Sequence, residues 1–230
     1  MSSRKLVAGS AGGLVDLLLP SGCGGCGEPG VSWCGDCAAR LGAPLHVALQ
    51  GGPAVLAVGR YRGPLRAALL GYKERGRRDL GPPLAALLAA AVAPAVPRDG
   101  PLWLVPAPSR PAAARARGGD HVLRLCRGLA AALAVAGYQV EPARALRLAR
   151  RARDSVGLDA DQRSANLAGR LRVRAAGLPP PGAGASRVLL VDDVVTTGAT
   201  LRACRDALAG AGVGVGAALV LCDATGRAGR

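Results

Sequence analysis

Three features of the 230-residue chain predict an α/β fold, a doubly wound parallel sheet preceded by a small N-terminal zinc-binding segment. Short apolar runs alternate with amphipathic stretches from Pro53 onward, the order expected of strand–helix units in a parallel sheet. One run, Val188-Leu-Leu-Val191, is continuous rather than alternating, as in a strand covered on both faces. Two Cys-x-x-Cys pairs lie close together near the N-terminus. The expected division is 1–50 for an N-terminal helix and double zinc knuckle, and 51–230 for the sheet domain.

Composition limits the choices. The chain is long enough for one sizeable domain with an appendage. Half of it is hydrophobic, yet it has no Phe, no Ile, two Trp and three Tyr, so Leu, Val and Ala must build the core. The net charge is +15, and all of the basic residues but Lys5 and Lys73 are arginine. Such basicity favours phosphorylated substrates or nucleic acid, although a codon bias towards arginine on a solvated surface explains part of it.

Met1 to Pro20 reads as an amphipathic helix stopped by Pro20. Arg4 and Lys5 followed by Leu17-Leu-Leu19 and then Cys23 faintly resemble a lipoprotein signal, but Asp16 interrupts the run and the run is too short. No segment approaches the roughly 20 apolar residues of a membrane span, and a cytoplasmic location is expected.

Cys23-Gly-Gly-Cys26 and Cys34-Gly-Asp-Cys37 offer four thiolates for one tetrahedral Zn²⁺, with glycines permitting tight turns. Two disulfides are the first alternative, opposed by a cytoplasmic setting; a redox pair is the second, opposed by the duplication. A segment this small cannot fold on buried surface alone, whereas structural zinc supplies on the order of 10 kcal/mol. Cys126, Cys204 and Cys222 fall singly in apolar patterns and are expected to be inert core residues.

The remaining elements come in order along the chain. A strand is expected over Ala54–Tyr61 and a helix over Leu65–Tyr72, then a basic run, Lys73 to Arg78, whose plainest reading is a solvated loop. An alanine-rich helix covers Leu80–Val96. A buried strand, Leu102–Val105, is closed by Pro106-Ala-Pro-Ser-Arg110. An Arg-rich stretch (Arg115, Arg117) leads into a helix, Val122–Ala136. Val140–Leu148 reads as one strand, the segments 150–154 and 162–166 as a charged connection, Gly177–Ala185 as an exposed, mobile Pro/Gly loop, and Gly212–Cys222 as the last strand.

The chemistry concentrates at 186–200. Asp192 and Asp193 stand where the strand ends, and a loop of small and hydroxyl residues, Val194-Val-Thr-Thr-Gly-Ala-Thr200, opens an amphipathic helix bearing Leu201, Cys204 and Leu208. Ligands of open α/β sheets bind at the carboxyl ends of strands. A helix N-terminus binds phosphate, Gly198 allows close backbone approach, and Thr196, Thr197 and Thr200 add hydroxyl donors. Each hydrogen bond to a charged group contributes roughly 1.5–3 kcal/mol. The carboxylates would repel a bare phosphate, so they suit vicinal hydroxyls of a ribose, or Mg²⁺. A sugar phosphate meets both demands. The plainer alternative, two surface aspartates beside a capped helix, has no use for both features together.

Val188-Leu-Leu-Val-Asp-Asp-Val-Val-Thr-Thr-Gly-Ala-Thr200 closely resembles the signature of the type I phosphoribosyltransferases, which bind phosphoribosyl pyrophosphate (PRPP) with Mg²⁺. The resemblance implies that Asp192 and Asp193 contact the ribose hydroxyls, and that Val194, Val195, Thr196, Thr197, Gly198, Ala199 and Thr200 form the 5′-phosphate loop. The order of segments further resembles the ComF family, which joins an N-terminal zinc knuckle to a phosphoribosyltransferase domain and is linked to competence for DNA uptake. Leu17-Leu-Leu-Pro20, Lys73…Arg75-Gly76, Val105-Pro-Ala-Pro-Ser-Arg110, Arg117-Gly118 and Arg163…Asn166 carry that resemblance. It implies that Pro106, Ala107, Ser109 and Arg110 approach the pyrophosphate, with Lys73, Arg110, Arg115 and Arg117 neutralising it. Gly119-Asp-His121 and Asp154–Leu158 depart from the family pattern on the pyrophosphate or acceptor side.

The implied reaction is displacement of pyrophosphate from C1 of PRPP. Neither histidine, His46 nor His121, stands out as a general base, and the acceptor is not specified. Two further readings are a non-catalytic PRPP-sensing or DNA-handling competence factor, and a zinc-dependent DNA-binding module. Single-stranded DNA and competence-machinery proteins are the corresponding partners. Five aromatic residues weaken the last reading, because single-strand binders stack bases on aromatic platforms.

Overall fold

The computed structural model describes residues 22–149 and 169–227. The expected helix at 1–20, the Leu17–Pro20 motif, the charged segments at 150–154 and 162–166 with Arg163 and Asn166, and the 154–158 departure lie outside the described residues. No helix among the described residues is long and apolar enough to cross a membrane.

A six-stranded sheet organises the chain. Its strands are β1 (Leu45–Val47), β2 (Ala54–Arg60), β3 (Leu102–Pro106), β4 (Val140–Pro142), β7 (Val188–Val195) and β8 (Ala217–Asp223), in the spatial order β1-β2-β8-β7-β3-β4. All neighbours run parallel except β1, which pairs antiparallel with β2 at one edge. β5 (Leu146–Leu148) and β6 (Leu171–Val173) form a separate antiparallel ribbon. The helices are α1 (Gly35–Ala39), α2 (Gly63–Glu74), α3 (Gly81–Val92), α4 (Pro111–Ala116), α5 (His121–Val135) and α6 (Ala199–Ala209).

Both faces of the sheet are covered, which is why its central strands are apolar throughout. One core gathers Leu65, Leu69 and Tyr72 of α2, Leu84 and Leu88 of α3, and Leu125, Leu129 and Leu133 of α5 against Leu104, Leu189, Val191 and Leu219. The other packs Leu201, Cys204 and Leu208 of α6, with Leu146, Leu148 and Leu171 of the ribbon, against Val55, Val105, Leu190 and Val220. Alternate residues of β7 therefore serve opposite cores. Cys126, Cys204 and Cys222 are buried within these layers. Burial pushes the Cys126 and Cys222 thiols up to about 12 and raises that of Cys204.

Several boundaries differ from expectation, each for a local reason. Val140–Leu148 is two strands in two sheets. Pro142 cannot donate to a ladder, and a tight turn in which Ala145 N–H donates to Ala143 O (2.8 Å) redirects the chain. The Ala-rich helix begins at Gly81 and ends at Val92, bounded by Pro82-Pro83 in its first turn and by a 3₁₀ turn containing Pro94. The last strand begins at Ala217 rather than Gly212. α2 continues to Glu74, so Lys73 sits on a helix rather than in a loop. The 177–185 loop is largely exposed, with Pro179 buried and with Leu178 and Ala183 packed on the second core.

The knuckle is fastened to the first core. Arg77 forms a bidentate pair with Asp79 (2.6 and 2.8 Å) and donates to Gly22 O at 2.7 Å, and Leu80 packs under Gly24. A Cβ on Gly25 would stand 2.7 Å from both Cys37 Sγ and Pro64 Cβ, so only glycine lets the knuckle approach the start of α2.

Candidate functional site

β3 and β7 are neighbours whose chains leave in opposite directions: β3 leads to α5 on the first core, β7 to α6 on the second. A crevice opens at the carboxyl ends of strands that part in this way. A cavity of about 300 Å³ lies there, walled by Lys73, Ala107, Pro108, Ser109, Arg110, Ala113, Arg117, His121, Val122, Asp192, Asp193, Val194, Thr196 and Thr200.

The acid pair does not come after the strand but belongs to it, because β7 runs on to Val195 through pairing with β8. Strand alternation then gives the two carboxylates different environments. Asp193 is 4% exposed and turns towards α2 and α5, while Asp192 keeps partial solvent contact. Asp193 Oδ2 is 2.6 Å from Lys73 Nζ and 2.7 Å from His121 Nε2. Asp192 Oδ1 accepts the Asp193 N–H at 2.8 Å.

These partners divide the acidity of the pair. Burial disfavours ionisation of Asp193, but the His121 hydrogen bond and the Lys73 charge outweigh it and hold the carboxyl below its ordinary value. Asp192 moves the other way, raised first by desolvation and then by the negative charge of Asp193. The two acids thus diverge, ionisation being favoured at Asp193 and disfavoured at Asp192.

His121 is the wall residue to which the sequence assigns no role. It opens α5, is 3% exposed, and its Nδ1 faces Arg117 Nη1 at 3.4 Å. A guanidinium only donates, so Nδ1 accepts and Nε2 carries the proton given to Asp193. Asp120 places it. The Asp120 carboxylate caps α5 by accepting from Val122 N (3.0 Å) and Leu123 N (3.2 Å), and it also accepts from Ser109 Oγ at 2.8 Å and Ser109 N at 3.4 Å, which ties the loop after β3 to the same helix. Tyr72 Oη also donates to His121 O at 3.0 Å. The acidic N-cap before His-Val marks where α5 starts, but not what its first side chain touches.

After β7, Gly198 takes the left-handed conformation (φ +75°) as the residue before α6, and no side chain caps the helix. The glycine N-cap offers the first-turn amides of α6 no side-chain acceptor, and they lie beside the hydroxyls of Thr196 and Thr200, with Ala199 N–H reaching Thr197 Oγ1 at 3.4 Å. A Cβ on Gly198 would stand 2.6 Å from Leu49 Cδ1.

Not every expected residue reaches the cavity wall. Val195 is buried in the second core. Pro106 completes β3, and Thr197 is exposed with its hydroxyl accepting from Ala199 N at 3.4 Å. Gly198, Ala199 and Arg115 also stand outside the wall. Lys73, Ala107, Ser109, Arg110, Arg117, Asp192, Asp193, Val194, Thr196 and Thr200 are brought together.

The four knuckle cysteines form a second centre. All four Sγ atoms lie within 4.8 Å of one another, with Cys23–Cys37 at 3.7 Å and Cys26–Cys34 at 3.5 Å. Tetrahedral zinc with Zn–S bonds of about 2.3 Å places sulfurs about 3.8 Å apart, so the donor set fits that metal. Burial alone would raise Cys23, but amide N–H groups, among them those of Cys34 and Gly25 at 3.3 and 3.4 Å, lower it to about 6. A cluster so provided with donors to sulfur suits a thiolate–metal centre.

No family model matches the chain, and no curated protein sequence matches it. Among solved structures, the chain is similar to the hypoxanthine phosphoribosyltransferase of Trypanosoma cruzi, at 18% identity over 66% of each chain with a TM-score of 0.35. It is also similar to the L. donovani hypoxanthine-guanine phosphoribosyltransferase, at 15% identity over 62% of this chain and 70% of that one, with a TM-score of 0.35. An asparagine mutant from a study of an invariant aspartic acid in HPRTs matches at 20% identity over 69% and 70%, with a TM-score of 0.34. These likenesses are distant, and the chemistry of the site is carried by its own geometry.

Proposed function

We propose that the protein is a PRPP-binding phosphoribosyltransferase of the ComF type, displacing pyrophosphate from C1 of PRPP with an acceptor nucleophile. One observation carries this reading: an acid pair and an uncapped, hydroxyl-lined helix N-terminus share a cavity with Lys73, Arg110 and Arg117 at the parting of β3 and β7. Asp192 and Asp193 receive the ribose hydroxyls, while Thr196, Thr200 and the first amides of α6 receive the 5′-phosphate. The loop 107–110, held by Asp120, and the cations Lys73, Arg110 and Arg117 face the pyrophosphate.

In the reaction, the C1–O bond breaks as the acceptor forms its bond to C1, and the electron pair leaves with pyrophosphate. The cations stabilise that leaving charge, and the ionised Asp193 lies beside the sugar as positive charge develops there. His121 does not act as a base. Its Nε2 proton is committed to Asp193, so it holds that carboxylate in place. Mg²⁺, with Asp192 and Asp193 as its available protein oxygens, supplies further neutralisation of pyrophosphate when bound. The zinc knuckle is closed by four cysteines and is structural.

The role in competence and DNA uptake that accompanies the ComF resemblance belongs to this proposal, as does a cytoplasmic setting in which the thiols stay reduced. Pyrophosphate release from PRPP and Mg²⁺ across a panel of acceptors tests the activity. Release that depends on acceptor and disappears in the Asp192→Asn, Asp193→Asn double variant is expected; release unchanged in that variant would contradict it.

A further inference from the structure

A larger cavity, about 750 Å³, opens at the carboxyl ends of β2 and β8 and is lined by Arg60, Tyr61, Arg62, Arg66, Asp223 and Gly226 among others. The phosphoribosyl chemistry at β7 makes no use of it. Its charge is unbalanced. Asp223, 2% exposed, is fully engaged: Arg60 pairs with one oxygen, while the Thr225 N–H and hydroxyl donate to the other at 2.8 and 2.7 Å. Arg62 and Arg66 have no acidic partner within 4.0 Å among the described residues, and Arg66 stacks over the Tyr61 ring at 5.4 Å. The first turn of α2, also uncapped by a side chain, closes the wall at Gly63. A second, smaller cavity of about 330 Å³ shares Arg60, Arg62 and Gly63 and continues the basic lining to Arg40.

The position relates the two cavities. Arg60 pairs in register with Asp223, and Asp223 with Val195, so the ends of β2, β8 and β7 stand in a row. At about 4.8 Å per strand, Arg60 at the end of β2 stands roughly 10 Å along the sheet edge from the strand that bears the acid pair. α2 spans the gap, with Gly63 in the large cavity and Lys73 bonded to Asp193.

We propose that this cavity is a second anion site and that it takes a phosphate monoester on the acceptor substrate, whose nucleophile then reaches the ribose held at β7, two strands along the sheet edge. The acceptor assignment rests on the PRPP reading; the anion site itself does not. Two guanidinium charges remain after Asp223 is paired, which matches a phosphate dianion better than a carboxylate, and guanidinium geometry suits bidentate phosphate contact.

Equilibrium dialysis of labelled inorganic phosphate against the zinc-replete full chain tests this, comparing wild type with the Arg62→Ala, Arg66→Ala double variant. Acetate serves as the monoanion control. Wild type should take up one phosphate more than the double variant, with affinity at the lost site falling roughly tenfold or more. Saturating PRPP and Mg²⁺ should displace the phosphate bound at the β7 site and leave the one that the variant lacks. Equal uptake by wild type and variant would overturn the site, and so would acetate competing as well as phosphate. Displacement of every phosphate by PRPP would overturn the acceptor assignment, since donor and acceptor must bind together. Displacement of none would remove the PRPP reading, and the acceptor assignment with it, while the comparison of wild type with variant still decides the anion site.

Discussion

Lys73 Nζ lies 2.6 Å from Asp193 Oδ2, joining the last turn of α2 to the strand that carries both acids. The lysine side chain is 25% exposed and the aspartate 6%, so the pair falls between a surface and a buried ion pair. Lys73→Met should destabilise the fold by about 1–2 kcal/mol, read as a lower urea midpoint. PRPP affinity should fall as well if Lys73 faces the pyrophosphate as proposed. A variant with unchanged stability would show that the pairing is not maintained in solution.

Asp192 and Asp193 impose opposite pH dependences. A raised carboxyl such as Asp192 contributes stability that is full below its unfolded value, about 4, and lost as pH rises through its elevated folded value. Asp192→Asn abolishes that loss. The variant should match wild type below about pH 4 and exceed it by about 1–2 kcal/mol near pH 9, a modest figure because Asp192 retains solvent contact. Asp193, lowered, contributes stability above pH 4 that disappears as pH falls through its folded value, so acid unfolding should begin there. Thermal melts from pH 3 to 9 check both limbs.

Metal analysis of the purified protein should give one zinc per chain, and Cys37→Ser, at a buried ligand position, should lose it. Chelation should lower the melting temperature by about 5 °C or more, because Arg77, Leu80 and Pro64 all brace the knuckle against the first core. Unchanged melting after verified zinc removal would contradict a structural role.

Gly198→Ala meets two obstacles, a φ of +75° and a Cβ contact of 2.6 Å to Leu49 Cδ1. A cost of about 2 kcal/mol is expected from the backbone and the clash together. In the double variant with Leu49→Ala the clash is relieved and the backbone cost remains, so the two changes should be non-additive. Chemical denaturation of the four proteins measures the coupling.

What the sequence discloses is local. The acid pair, the Thr-Thr-Gly-Ala-Thr turn and the paired cysteines are each contiguous, so their chemistry is legible without knowing the fold. The β7–α6 unit is legible too, because its apolar run and amphipathic helix are contiguous signals. His121 stays hidden because its role depends on Asp193, 72 residues away, and histidine type alone carries no such information. Lys73 reads as part of a solvated basic run, since nothing in Lys73–Arg78 says that α2 continues two residues past Tyr72. β1, three residues long, is too short for an alternating pattern to register. The single strand expected at Val140–Leu148 breaks at Pro142, where the consequence is a change of sheet rather than a simple end.

Calorimetric titration of PRPP with Mg²⁺ into the zinc-replete protein tests most directly whether the acids of β7 and the turn into α6 hold a sugar phosphate. Saturable heat at one ligand per chain, strongly reduced in Asp192→Asn, is the expected result. No heat at millimolar PRPP, or an isotherm that the substitution leaves unaltered, would contradict it.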